Sequence, residues 1–279
     1  MYLKTFLFTI VTVVISCSIN LNSESYASAL DVFKGEAGEI KVAGGTAHIP
    51  AMKAAAIRIM QANPDIRISI AGGGSGVGIK QVGEGLVDIG NSGRKAKKEE
   101  IERYGLQMFK WAIDGVGIVV NPANKVQSLS TRQLQAIYAG TIANWQQLGG
   151  VDREINLYTR DESSGTRAVF WKKALKKGDI AKNANFVASN GAMKAAVSQD
   201  PYGIGYVSVG YMDKVVAAVT LDGVAPTIDN VKSGKFPVSR GLYSNMKGEP
   251  VGLTKKFIDF MLSDEGQKIV EEKGFVAVR

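Results

Sequence analysis

The chain of 279 residues has one cysteine, Cys17, and one histidine, His48. A lone cysteine rules out an internal disulfide, so an exported body must rely on its core. One histidine leaves no Cys/His metal cluster, and a Ser-His-Asp or Cys-His arrangement would have to run through His48. The run Gly73-Gly74-Ser75-Gly76-Val77 lacks the closing glycine of a Gly-x-Ser-x-Gly nucleophile elbow. The same loop is no Walker A, because Lys80 follows Gly78 at the wrong spacing and Gln81 stands where serine or threonine is required. It also misses Gly-x-Gly-x-x-Gly, since Val77 or Ile79 falls on the last glycine in either frame. No catalysis, metal or cofactor is therefore expected, and His48 reads as a structural residue at the start of the first helix. No repeat, low-complexity segment or basic stripe interleaved with aromatics is present, so nucleic acid is not an expected partner. The longest apolar run, Phe6 to Ile15, is too short and weakly flanked for a stable membrane span.

What is there describes an exported globular protein. Hydrophobic residues make up 45% and charged residues 22%, which argues against disorder. The net charge of +8 suits capture of anions or docking on an acidic surface, and equally a well-solvated lysine-rich surface. Residues 1–29 read as a signal segment, with Lys4 ahead of the apolar run. Two processing sites compete: Val14-Ile15-Ser16-Cys17 resembles a lipobox that would lipidate Cys17, and Ala27-Ser28-Ala29 is an Ala-x-Ala site. The protein is expected to be periplasmic or extracytoplasmic, touching membrane only through a lipid on Cys17.

The body alternates short strands and helices, the pattern of α/β layering. Ile40 to Val42 reads as a strand entering the Gly44-Gly45-Thr46 turn, and Pro50 sits at a helix start. Met52, Ala55, Ala56, Ile59 and Met60 form one apolar helix face that Asn63-Pro64 ends. Ile66, Ile68 and Ile70 alternate as a strand into Gly72-Gly73-Gly74-Ser75-Gly76, and Val87 to Ile89 leads to Gly90-Asn91-Ser92-Gly93-Arg94. Leu106 to Trp111 and Val116 to Val120 read as two strands separated by Asp114-Gly115. A helix follows Ser130 and ends at Gly140; the strand Ile155 to Tyr158 delivers the loop Arg160-Asp161-Glu162-Ser163-Ser164-Gly165-Thr166. Helices near Arg167–Leu175 and Ala192–Gln199, a strand at Gly203–Val207 and a less regular stretch around Pro226 and Pro237 come next. Two helices close the chain, with Thr254 and Asp264 as their expected caps.

Each glycine/hydroxyl cluster follows a strand and precedes a helix, which in open α/β sheets is the edge where ligands bind. Helix-start N–H groups, hydroxyls and a fixed guanidinium suit a compact oxyanion. N-capping alone would account for a hydroxyl such as Thr46, Ser75 or Ser164, and an ion pair with Asp161 or Glu162 for Arg160. Both are expected to apply, with Glu162 orienting Arg160 while the guanidinium also faces the guest.

Assembled, these motifs resemble the phosphate-binding proteins that serve bacterial ABC transporters. The resemblance runs from about Ile40 to the C-terminus. It rests on Gly44-Gly45-Thr46-Ala47, Gly74-Ser75-Gly76-Val77-Gly78-Ile79-Lys80-Gln81, Val87-Asp88-Ile89-Gly90-Asn91-Ser92, Arg160 to Thr166, and two signatures without ligand contact, Gly140 to Gly150 and Pro201 to Val207. It implies an α/β type II periplasmic binding protein: two α/β lobes joined by a two-strand hinge, with the ligand in the cleft. Lobe I is expected at residues 30–113 with 239–279 and lobe II at 114–238, crossing near Asp114 and Val238. The implied phosphate contacts are Thr46, Ala47, Ser75, Arg160, Ser164, Gly165 and Thr166, with Gly76, Ser92, Gly93 and Arg94 completing the candidate set. The implied partners are inorganic phosphate and an ABC permease, and the protein is expected to be a monomer. Gly93 departs from the pattern, because well-known members carry there an aspartate that accepts the phosphate proton; a Ser-x-Arg form of this loop also occurs among relatives. Asp161 and Asp88 are candidate substitutes. Sulfate, arsenate, molybdate or tungstate as guest, and an anion-sensing surface protein, are the alternatives; a phosphatase-like hydrolase is opposed by the side-chain inventory.

Overall fold

The computed structural model describes residues 28–279; Cys17 and the apolar run lie outside the described residues, and Ala27-Ser28-Ala29 straddles their boundary. The chain opens with three strand–turn–helix steps: β1 (Gly38–Gly44) into α1 (Ile49–Ala62), β2 (Ile66–Gly73) into α2 (Ser75–Gly83), and β3 (Ile89–Ser92) followed by α3 (Lys98–Tyr104). Hydrophobic patterning accounts for the first two, whereas α3 has no buried residue and is bounded by the Glu100 capping contact and a left-handed Gly105. Met52, Ala55, Ala56 and Ile59 bury one face of α1, and Ile66 and Ile68 bury one face of β2. Strand β1 pairs in parallel with β2 on one side and β3 on the other, so their carboxyl ends share one edge.

Strand β4 (Leu106–Val120) is continuous, whereas the sequence predicts two strands broken at Asp114-Gly115. Asp114 is buried inside the strand because its carboxylate meets Arg240 and Ser208 there, so its charge does not force a loop. Next come β5 (Ser128–Leu129), α4 (Thr131–Tyr138), β6 (Asn156–Thr159), α5 (Gly165–Lys173), β7 (Asn185–Phe186), α6 (Asn190–Gln199), β8 (Gly203–Ser208) and β9 (Ala217–Leu221). After α7 (Ile228–Lys232), β10 (Ser239–Lys247) returns the chain to the first half, and α8 (Gly252–Leu262) and α9 (Asp264–Glu272) finish it. The expected caps of these last helices shift. Thr254 lies within α8, and Ser263, not Asp264, caps α9 by accepting from the Gly266 N–H at 3.2 Å.

The strand order is β2-β1-β3-β10-β4-β8-β6-β7, with β9 on β4 and β5 on β9. From Leu106 to Gly115, β4 runs antiparallel to β10; from Val116 onward it pairs with β8 instead. Two large cores form on either side of that switch, beside a small third cluster of Ile79, Val82, Ala96 and Leu106. One gathers Ile40, Met52, Ile59, Trp111, Leu242, Phe257 and Phe275. The other gathers Val116 to Val120, Trp145, Met193, Phe236 and the aromatic group Tyr138, Phe170 and Tyr206, with the last two rings stacked at 4.0 Å. β4 and β10 link the halves, and the strand ends of both halves face the space between them.

Candidate functional site

Four loops meet in that space: the turn Thr46–His48 after β1, the start of α2 after β2, the loop after β3, and the loop from Arg160 to the start of α5. Gly74 makes the approach of the second and fourth loops feasible. Its φ is +93°, and a Cβ there would lie 2.7 Å from Ser163 Oγ. Across the gap the Gly76 N–H donates to the Ser163 carbonyl at 3.0 Å, and Ser163 Oγ donates to the Gly73 carbonyl at 3.2 Å. The Tyr211 hydroxyl donates to the Thr46 carbonyl at 2.7 Å. The two halves are therefore in direct contact around the site.

Four hydroxyls in the site share one electronic arrangement. Thr46 Oγ1 accepts from the Asn190 backbone N–H at 3.2 Å and from Asn190 Nδ2 at 3.0 Å. Ser75 Oγ accepts from the Gly93 N–H at 2.9 Å, and Ser164 Oγ from the Arg167 N–H at 3.2 Å. Thr166 Oγ1 accepts from Arg240 Nη2 at 3.0 Å. All four side chains are buried. A hydroxyl whose lone pairs are engaged by N–H donors keeps its own proton to give, so each is set to donate. The backbone N–H groups of Thr46 and Ala47, of Ser75, and of Gly165 and Thr166 open helical turns, where no intrahelical acceptor exists for them. Their dipoles add positive potential.

Arg160 is 1% exposed, and only its Nη2 has a protein acceptor, the Ala188 carbonyl at 2.9 Å. Its Nε and Nη1 are buried without partners. Burial pulls its pKa below the ordinary arginine value, against the opposing pull of the Tyr206 hydroxyl and Asp161. Its backbone N–H donates to the Tyr206 hydroxyl at 3.1 Å, whose pKa burial pushes up to about 12, so the phenol stays neutral.

Several expected roles need correction. Glu162 does not orient Arg160; it is exposed and faces an outer crevice beside Arg167 and Trp171. The cause is a tight turn in which Asp161 Oδ1 accepts from the Ser163 N–H and hydroxyl, leaving Glu162 at the outward tip. Arg94 brings no free charge to the site, because Glu100 binds its guanidinium with two contacts of 2.7 Å. Ser92 Oγ donates to the Arg94 carbonyl at 2.8 Å and accepts from Asn245 Nδ2 at 2.9 Å, so its hydroxyl holds the loop. The Gly76 N–H is engaged by Ser163, as noted above. Neither proposed substitute acceptor faces the site: Asp161 and Asp88 are exposed, and Asp88 Oδ2 accepts from the Lys41 N–H at 2.7 Å.

Arg240 is the participant that sequence reading missed. Its Nε and Nη2 bind Asp114 Oδ2 at 3.0 and 2.8 Å, Asp114 Oδ1 accepts from Ser208 Oγ at 2.8 Å, and both charged residues are buried. A Cβ on Gly93 would sit 2.5 Å from Arg240 Nη1, so glycine at that position leaves room for the guanidinium. Burial raises the Asp114 pKa, against the pull of Arg240 and Ser208. The only available signal was that Arg240, Leu242 and Ser244 alternate, but a buried arginine and serine hide a strand whose inward positions are polar. His48 is fully buried, with Nδ1 2.9 Å from the Gly45 carbonyl and its ring edge against Trp111; burial lowers its pKa to about 3, so it is neutral.

Two buried guanidinium groups, one buried carboxylate, buried hydroxyls and helix-start N–H groups converge here, a donor cluster whose chemistry suits a small anion. The family model described as PBP superfamily domain matches residues 34–265. A Bacillus subtilis protein named phosphate-binding protein PstS is 40% identical over 91% of this chain and 87% of its own length. The chain belongs to the phosphate-binding-protein family of the PBP superfamily. Among solved structures, one described as a phosphate ABC transporter substrate-binding protein with bound phosphate, from Clostridium perfringens, superposes with a TM-score of 0.82 at 35% identity, covering 87% of this chain and 100% of that one. An ABC-type phosphate transport receptor from Vibrio cholerae gives 0.69 at 34% identity over 85% and 99% of the two chains. The architecture is the type II periplasmic binding protein fold.

Proposed function

We propose that this protein is an extracytoplasmic receptor that closes on inorganic phosphate and hands it to an ABC permease, without covalent chemistry. The observation that carries this reading is Arg160: a guanidinium 1% exposed with two nitrogens unpartnered. A buried unpaired cation is costly, and a bound dianion offsets that cost directly. Thr46, Ala47, Ser75, Ser164, Gly165 and Thr166 supply the remaining donors. Gly93 lends its N–H to Ser75, and Ser92 and Gly76 support the loops. Each charge-assisted hydrogen bond contributes about 1.5–3 kcal/mol, so this donor set supports micromolar or tighter binding after ordering costs.

The division of labour follows from the two cores. Residues 30–113 with 239–279 would move as one lobe and residues 114–238 as the other, with β4 and β10 flexing where β4 changes partner. The contacts of Thr46 with Asn190 and of Gly76 with Ser163 then belong to the closed state, in which a guest is sealed from water. The permease would read that state. A monomeric form completes the proposal, with processing either at Cys17, which would carry a lipid, or after Ala29, which would leave the body unanchored.

Calorimetric titration with phosphate, sulfate, arsenate, molybdate and tungstate tests it. Heat with phosphate at micromolar protein is expected, and none would end this reading. One observation favours a second guest: among the described residues the buried carboxylate nearest the donors, Asp114, is already engaged by Arg240 and Ser208. Sulfate binding as tight as phosphate would shift the assignment to a general tetrahedral dianion receptor.

A further inference from the structure

Next to these donors lies a crevice of about 550 Å³ lined by the loop after β3, with Arg94, Lys95 and Lys97, by α5, with Trp171 and Lys172, and by the start of β10, with Arg240. A second hollow of about 410 Å³ continues it past Arg167 and Glu162 and shares Arg94, Lys97, Ala168 and Trp171. Two residues of its lining, Gly93 and Arg240, also touch the buried donors. The N–H of Gly93 binds Ser75, and Arg240 binds Thr166.

Its charge is lopsided. Arg94, Lys95, Lys97, Arg167, Lys172 and Lys173 line it, against Glu162 and the Glu100 that pairs with Arg94. No salt bridge engages Lys95, Lys97, Arg167, Lys172 or Lys173 among the described residues. Arg167 Nε is buried without a partner. Burial and the neighbouring Lys172 and Lys176 pull the Lys173 pKa below the ordinary lysine value, as crowded like charges do. The cations come from both the loop after β3 and α5.

We propose that this crevice is a vestibule: a weak, exchangeable anion site that gathers the tetrahedral dianion and feeds it to the donor cluster. The inference rests on the phosphate-receptor reading above. A groove of one sign concentrates counter-ions and steers association, and the effect weakens as salt shortens the Debye length. The exposed lysines at its rims therefore act on the association rate, whereas the buried donors set dissociation.

Stopped-flow phosphate binding from 20 to 500 mM sodium chloride tests this, using the double variant Lys95→Glu with Lys172→Glu. The control is Lys53→Glu with Lys268→Glu, which changes net charge equally on α1 and α9, away from the crevice. For the crevice variant the association rate constant should fall roughly tenfold at low salt, converge on wild type at high salt, and leave the dissociation rate within about twofold. The control should stay within about threefold of wild type. Equal losses in both variants, or an unchanged rate in the crevice variant, would overturn the vestibule while leaving the receptor intact. Failure of all three proteins to bind phosphate would instead overturn the reading beneath it.

Discussion

Replacing Arg160 with methionine separates binding from folding. The two side chains are similar in length, so the change removes the charge and the donors with little new cavity. Wild-type Arg160 offers an anion Nε and Nη1, both buried and unpartnered. At about 1.5–3 kcal/mol for each charge-assisted bond, their loss removes about 3–6 kcal/mol of binding, or roughly two to four orders of magnitude in Kd. Stability without ligand should respond differently. The variant sheds an uncompensated buried cation, a gain, and orphans the Ala188 carbonyl, a loss of about 1–3 kcal/mol. The unliganded melting temperature should therefore shift by only a few degrees. Phosphate at 100 times the wild-type Kd adds about 2.7 kcal/mol to wild type, which at this size is roughly 5–11 °C. The same concentration should move the variant by less than about 1 °C. A scanning-fluorimetry series with and without phosphate reads both numbers. An equal phosphate-induced shift in the two proteins would refute the placement of Arg160 in the donor cluster.

Three further outcomes follow from the same geometry. Asp114→Asn leaves Arg240 buried without its counter-charge and should cost about 3–5 kcal/mol in urea unfolding; a loss below about 1 kcal/mol would mean that the pair is not isolated from water. His48 has a folded pKa depressed to about 3, so its contribution is complete above the unfolded value near 6.5 and declines as the pH falls towards 3. Stability should drop on acidification by up to about 1.4 kcal/mol per pH unit in that window, and His48→Gln should remove one proton's worth of the slope; an unchanged slope would assign the acid sensitivity elsewhere. Gly78→Ala places a Cβ 2.6 Å from the Asn91 carbonyl oxygen and 2.8 Å from Gly44 Cα, both backbone, and should destabilise by about 1–3 kcal/mol in the same urea assay.

The residue order by itself determined the α/β body, the amphipathic α1, the half-buried β2 and the glycine/hydroxyl clusters at strand ends, because these features are local. Period and turn chemistry are written in adjacent residues, and a helix start needs only its own first turn to present donors. The motifs from Gly44 to Thr46, Gly74 to Gln81 and Arg160 to Thr166 carried the resemblance for the same reason. Tertiary structure alone decided how the charges were spent. Arg94 and Arg240 are both arginines next to glycines, yet Glu100 occupies the first, while Asp114, 126 residues away from Arg240 in the chain, carries the second into the interior. Glu162 looked like a partner for Arg160 by proximity along the chain, but the Asp161 turn aims it outward. Strand β4 and the polar-lined β10 were likewise obscured, since a buried ion pair makes a core position look like a loop until its distant partner is known. Electrostatic pairing is set by through-space distance, which sequence separation does not encode, so the list of donors was legible and their allocation was not.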